Sequence, residues 1–78
     1  MQEFITSSLE EKINDEGKLR RIIIAFRYLQ EADPKERHFA IRFCNFDEGR
    51  GQEVWCIIDG DPKEEIERIA TYLLPKDY

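Results

Sequence analysis

The fold depends on residues 18–32, which read KLRRIIIAFRYLQEA and allow two interpretations. A helix would gather the large apolar side chains on one face; these are Leu19, Ile22, Ile23, Phe26 and Leu29. A strand would instead place alternate residues on one side; these are Ile22, Ile24, Phe26 and Tyr28, with Arg21 and Arg27 on the other.

Residue preferences within this segment are divided between the two interpretations. Its consecutive isoleucines and its aromatic residues favour a strand, whereas Leu19, Ala25 and Gln30 favour a helix. The two segments that follow form a hairpin, and two strands alone would be a poor platform for the remaining helices. We therefore predict that residues 21–29 form a strand that pairs with residues 38–46.

The hairpin itself has clear signals. Alternating apolar residues from Phe39 to Phe43 are typical of a half-buried strand. Two glycines in the turn at residues 47–52 supply positive φ. The more apolar strand at residues 53–59 is predicted to be either central in the sheet or covered on both faces. Two registers stay open. Each register can be labelled by the sum of two paired residue numbers. In the register with a sum of 99, Val54, Cys56 and Ile58 face the core. In the register with a sum of 100, Trp55 and Ile57 face it instead.

Helices are predicted on both sides of these strands. Residues 60–65, GDPKEE, place the N-cap residue Asp61 before Pro62, with Glu64 at the capping-box position. The apolar residues that follow have helical spacing up to Pro75; they are Ile66, Ile69, Ala70, Leu73 and Leu74. A first helix is predicted over about residues 2–13, with Ser7 or Ser8 at a cap and residues 14–17 as its exit.

The predicted fold is a small single α+β domain over residues 1–78, ordered as helix, three-stranded antiparallel meander and helix (α-β-β-β-α). This order, the strand HFAIRF at residues 38–43 and the glycine turn after it resemble the layout of the double-stranded-RNA-binding domain. In that family the second helix opens with lysines that contact phosphates. Here residues 61–65 read DPKEE, in which Lys63 is the single matching charge. The resemblance therefore implies the layout and no RNA-contacting residue.

Composition indicates a compact, heavily charged domain. The chain has 78 residues, of which 41% are hydrophobic and 37% are charged, and its net charge is −5. Residues 18–50 are net basic, whereas both flanking segments are acidic. Five-residue apolar runs are too short to span a membrane, and the N-terminus lacks the features of a signal peptide. We predict a cytoplasmic protein without membrane contact.

No enzyme or metal signature is found in the sequence. Cys44 and Cys56 are twelve residues apart with only His38 nearby, which does not match a zinc site. His38 and Cys44 would lie about 20 Å apart along a strand, too far for a nucleophile and its base. Asp59 and Asp61 could begin a calcium-binding loop, but the loop would need a glycine at its sixth position and a glutamate at its twelfth, and the sequence has neither there. We predict a protein with no catalytic activity, cofactor or metal.

One surface remains as a candidate site. If the helices cover one side of the sheet, the other side presents Arg21, Arg27 and Arg42 with Trp55 among aliphatic residues, a composition enriched in protein interfaces. The acidic helix around Glu64 and Glu67 is a second candidate. The sequence thus predicts a small acidic protein-interaction module, a regulator, inhibitor or accessory subunit that binds another protein or forms a homodimer. The alternative is nucleic-acid binding through the arginine-bearing face, with Trp55 stacked on a base.

Overall fold

A computed structural model describes residues 1–44, 51–61 and 63–78, in which a mixed four-stranded sheet carries two helices. The sheet order is β1-β4-β3-β2; β1 runs parallel to β4, and the other neighbours are antiparallel. The elements in chain order are β1 (Gln2–Ile5), α1 (Ser7–Ile13), α2 (Glu16–Ala32), β2 (His38–Phe43), β3 (Gln52–Asp59) and β4 (Ile69–Leu73), with single 3-10 turns at Glu65–Glu67 and Pro75–Asp77. The coarse prediction of a small α+β domain is confirmed. The predicted α-β-β-β-α meander and its RNA-binding-domain layout are not.

The hydrophobic core lies between the two helices and one face of the sheet. Leu9 of α1 and Leu19, Ile22 and Phe26 of α2 are buried there. The sheet contributes alternate residues of three strands; these are Phe39 of β2, Val54, Cys56 and Ile58 of β3, and Ala70 and Tyr72 of β4. Since both α-helices pack on this face, neither of them covers the opposite face of the sheet in the part of the chain that the structure describes.

The predicted strand at residues 21–29 is wrong, because these residues lie within α2. Asp15 caps the helix, and its side chain accepts a hydrogen bond from the Lys18 amide at 3.1 Å. In the helix, the residues that were predicted to share one side of a strand point in different directions. Phe26 is fully buried, whereas Ile24 and Tyr28 are 42% and 69% exposed. The segment forms a helix because the sheet takes its further strands, β1 and β4, from other parts of the chain.

The predicted helix at residues 62–74 is also wrong. After a single 3-10 turn, residues 69–73 form β4, and Ile66 of the turn is 82% exposed. Pro62 lies outside the described residues, and Asp61 caps a turn by accepting from the Lys63 amide at 2.9 Å. β4 lies between β1 and β3 and carries apolar residues on both faces. Because both faces of the strand carry apolar residues, Ile69, Ala70 and Leu73 also match the spacing of one helix face, which explains the wrong prediction.

The N-terminal helix begins later than predicted. Residues 2–5 form β1 along β4, and α1 starts after Thr6, whose hydroxyl accepts from the Leu9 amide at 3.3 Å. Asn14 ends α1 in a left-handed conformation with φ of 47°, within the predicted exit segment. Residues 2–5 form a strand rather than a helix because they pair with β4, which lies more than sixty residues later in the chain.

Both hairpin strands were predicted correctly, although neither register was. Phe39 pairs with Cys56 and Arg42 with Glu53, so that the paired residue numbers sum to 95. This register differs from the sum of 99 by an even number of residues, which leaves every side chain on the same face. Val54, Cys56 and Ile58 are accordingly buried. Most of the predicted turn lies at residues 45–50, outside the described residues.

No helix in the described ranges combines the length and the hydropathy needed to cross a bilayer.

Candidate functional site

The candidate site is the face of the sheet opposite the helices, here called the open face. Its members follow from the strand register, since paired residues share a face and residues two apart along a strand do as well. They are Gln2 and Phe4 of β1, His38, Ala40 and Arg42 of β2, Glu53, Trp55, Ile57 and Asp59 of β3, and Ile69, Thr71 and Leu73 of β4. Much of this surface is apolar, and Phe4 is 52% exposed.

Three aromatic rings form a cluster on the open face. Trp55 lies opposite Ala40, so that His38, two residues before Ala40, is its diagonal neighbour. The His38 and Trp55 ring centroids are 4.7 Å apart with the rings nearly perpendicular. The 3-10 turn after β4 returns the chain over the face and places the Tyr78 ring 5.5 Å from Trp55 and 6.0 Å from His38.

The cluster is a raised apolar surface rather than a cage. At these separations the rings contact one another, which leaves no gap in which a ligand could be held between them. Tyr78 is 77% exposed, and Trp55 beneath it is half-buried. The accessible surface is therefore the outer side of Tyr78, the flank of Trp55 and the neighbouring Ala40 and Ile57.

Charges are few on the open face and nearly balanced. On its strands, the described residues include one basic side chain, Arg42, and two carboxylates, Glu53 and Asp59. Arg42 lies directly across from Glu53 at one end of β3. Asp59 lies at the other end, about 20 Å away along the strand.

The structure brings together only part of the predicted arginine surface. Arg42 and Trp55 both lie on the open face. Arg21 and Arg27 lie on α2, which packs against the opposite face of the sheet, so the prediction that the three arginines share a surface is wrong. This error follows from the wrong prediction of a strand at residues 21–29. In a helix outside the sheet, Arg21 and Arg27 cannot lie on a face of the sheet.

The predicted acidic patch is also altered. Glu64 and Glu67 are exposed, but they lie at a 3-10 turn and not along a helix. This turn leads into the end of β4 that pairs with Asp59, far from Arg42. A partner that contacted both Arg42 and these glutamates would have to span the length of the sheet.

Sequence reasoning missed three of the aromatic residues on the open face. Phe4 was assigned to the apolar face of the predicted first helix, Tyr78 was not singled out, and His38 was considered only for metal binding and catalysis. The alternation of His38, Ala40 and Arg42 along β2 could have placed His38 on this face. No local pattern could have placed Phe4 and Tyr78 there, because their positions depend on β1 pairing and on the path of the chain after β4.

A second polar cluster lies on the helix side of the sheet. Glu3 accepts from Arg27 at 2.6 Å (Nη2 to Oε1) and 3.2 Å (Nε to Oε2), and the Tyr72 hydroxyl donates to the same carboxylate. The Arg27 hydrogen bonds, together with that of Tyr72, hold the pKa of Glu3 below its ordinary value. Burial, and then the hydrogen bond to Glu3, raises the pKa of Tyr72 far above its usual range. The cluster joins β1 to α2 and β4, which is a structural role.

Replacing Glu3 with glutamine is expected to lower the free energy of unfolding at pH 7. The carboxylate with a lowered pKa stabilises the fold above its unfolded pKa, and this contribution disappears as the pH falls through the lower folded value. The difference between the parent and the Glu3→Gln variant should therefore shrink as the pH falls below about 4.5. Urea unfolding followed over a pH series measures it. The exposed Glu11→Gln serves as a control for the loss of one charge, and an equal effect from it would contradict the role of Glu3.

The surroundings of the two thiols and of the described acidic residues bear on catalysis and metal binding. Burial raises the pKa of the Cys56 thiol to about 12, and the Gln30 side-chain amide donates to its sulfur at 3.6 Å. Cys56 is thus an un-ionised core residue near neutral pH, when a nucleophile would need the thiolate. Cys44 is exposed and not in a disulfide. Among the described residues, no three or more histidines, cysteines or carboxylates lie close enough together to hold a metal ion.

Comparison of the chain with protein-family models gave no match, and comparisons with curated proteins and with solved structures gave none either.

Proposed function

We propose that this chain is a small acidic, non-enzymatic interaction module of the cytoplasm that binds a protein partner through the open face of its sheet. The observation that supports the proposal is the aromatic cluster of His38, Trp55 and Tyr78 on the face that neither α1 nor α2 covers. Its activity would be that of a regulator, inhibitor or accessory subunit, since binding alone is required of it.

The apolar content of the open face favours an interface. Tyr78 and Phe4 are exposed on this face, Ala40 and Ile57 lie beside the cluster, and exposed apolar surfaces on small proteins mark sites of association. Tryptophan and tyrosine are the residues that contribute most often to binding energy at the centres of interfaces. Arg42, Glu53 and Asp59 at the two ends of the face supply the polar rim that usually surrounds such a centre.

The charges of the same face favour a protein over a nucleic acid. Nucleic-acid affinity comes largely from the release of counterions by basic side chains, and stacking surfaces normally lie in a basic groove. On the strands of the open face, the described carboxylates outnumber Arg42, and the whole chain carries a net charge of −5. Trp55 and Tyr78 could stack on bases, but the surrounding charge would repel the phosphates.

Replacing Trp55 with alanine is expected to weaken partner binding by about thirty-fold, the effect of losing an interface hot spot. Tyr28→Ala, which removes a more exposed aromatic ring from α2, is the control for the loss of a surface ring and should leave binding unchanged. Tagged parent and variant proteins would be used to capture partners from the native cell lysate, followed by quantitative mass spectrometry and affinity measurement with the purified partner. Unchanged capture by a folded Trp55→Ala protein would contradict the proposal.

Intrinsic fluorescence discriminates between the two classes of partner. Trp55 is the only tryptophan of the chain, so that its emission reports directly on the open face. Titration with a single-stranded oligonucleotide at low salt should leave the emission unchanged, whereas the captured protein should shift it. Quenching by the oligonucleotide that is lost with increasing salt would instead support nucleic-acid binding.

A further inference from the structure

The outer edge of β2 is a second surface that is open to association. β2 is the terminal strand of the sheet and pairs with β3 on its inner side, and no other described strand pairs with it. An edge strand presents a row of backbone N–H and C=O groups, which can serve as a template for another strand.

Little in the sequence of β2 protects this edge. The strand reads HFAIRF, contains no proline and has a single charged residue, Arg42. Soluble proteins usually guard an exposed edge with prolines, several charges, a bulge or a very short strand. The opposite edge is guarded in this way, since β1 has four residues and its Glu3 is paired with Arg27. The unguarded six-residue edge is the one expected to be covered.

We propose that β2 of a second copy of this chain covers the edge, antiparallel and across a two-fold axis centred on Ile41. In this arrangement Ile41 meets its own counterpart, Phe43 meets Phe39 of the second copy, and Arg42 meets Ala40. All the apolar residues of the helix side then face apolar residues, and the two sheets join into one of eight strands. Shifting the centre to Arg42 would set the two guanidinium groups against each other, which like-charge repulsion disfavours.

The proposed contact is separate from the open face. Strand pairing uses backbone groups in the plane of the sheet, so that Trp55 and Tyr78 stay accessible and the open faces of the two copies lie side by side. Dimerisation therefore does not depend on the proposed partner binding, and each can fail without the other.

The test uses charges introduced at Ala40, which is exposed on the open face and faces Arg42 of the second copy. Ala40→Lys creates two symmetric like-charge contacts and should weaken the dimer by about ten-fold, whereas Ala40→Glu should strengthen it. Combining Ala40→Lys with Arg42→Glu should restore the parent affinity. Gln2→Lys, which adds the same charge on β1, is the matched control and should change nothing. Sedimentation equilibrium over a concentration series gives the dimer dissociation constants.

Several results would overturn this proposal. If the parent protein is still monomeric at a concentration of about 1 mM, the proposed dimer does not form with a measurable affinity, and the contact is excluded. A dimer that Ala40→Lys leaves intact places the interface elsewhere, and one that both Ala40 variants weaken has another register. Circular dichroism shows that each variant is folded. Concentration-dependent protection of the β2 amides from hydrogen exchange, without such protection in β1, would support the proposed edge.

Discussion

Replacing Phe26 with alanine is expected to lower the free energy of unfolding by about 3–5 kcal/mol, the usual loss for a buried phenylalanine. Phe26 is fully buried, and its ring lies 5.6 Å from that of Tyr72 in the centre of the core. A chain of 78 residues has a total stability of roughly 4–12 kcal/mol. The variant should therefore lose a large share of the total stability, which urea denaturation followed by circular dichroism measures.

Tyr28→Ala is the matched control for this variant. Its ring is 69% exposed on α2, and its removal should change stability by no more than about 0.5 kcal/mol. The pair also tests the secondary structure. A strand at residues 21–29 would place both rings on one side, so that both variants would lose similar stability. Comparable losses would contradict the helix.

Replacing Gly60 with alanine is expected to have the second largest effect. Gly60 has φ of 100°, a value that costs other residues about 1–3 kcal/mol. An added Cβ would also lie 2.5 Å from the carbonyl oxygen of Glu67, a backbone atom that cannot move without displacing the turn before β4. The Gly60 carbonyl accepts from Arg37 at 2.8 Å, so that the strain would extend to the chain before β2.

Gly17→Ala provides the comparison for Gly60. Gly17 lies in the first turn of α2, where the nearest obstacle to a Cβ is the Asp15 side chain at 3.3 Å. Alanine suits a helix better than glycine by about 1 kcal/mol, which offsets a small displacement of that cap. Thermal unfolding of both variants should show a large decrease for Gly60→Ala and a small change of either sign for Gly17→Ala. Equal decreases would contradict the special role of Gly60.

The fold explains why binding is proposed on one face only. α1 and α2 follow each other in the chain and both pack on the same side of the sheet. The described strands that follow therefore present side chains on their open face that neither α1 nor α2 covers. Trp55, at half-burial in the middle of the central strand β3, owes its partial exposure to this arrangement.

Local patterns were sufficient for the hairpin. The alternation from Phe39 to Phe43 and the apolar run from Val54 to Ile58 identify β2 and β3, and the burial of Val54, Cys56 and Ile58 matches one of the two registers considered. Such alternation shows which residues of a strand point to the core, but it does not show which residue of the neighbouring strand each one pairs with. The actual register depends on the long connection between the strands, which the sequence pattern does not determine.

The other elements were decided by tertiary structure. Residues 69–73 carry apolar side chains on both faces of β4, and Ile69, Ala70 and Leu73 also have the spacing of one helix face. Residues 2–5 extend because β4 offers them hydrogen bonds, and α2 is a helix because the sheet takes its remaining strands from the two ends of the chain. Each of these choices depends on a contact between distant segments, whose energy no local window contains. The sequence by itself determined a small α+β domain with a central hairpin, and long-range strand pairing decided which residues share the open face.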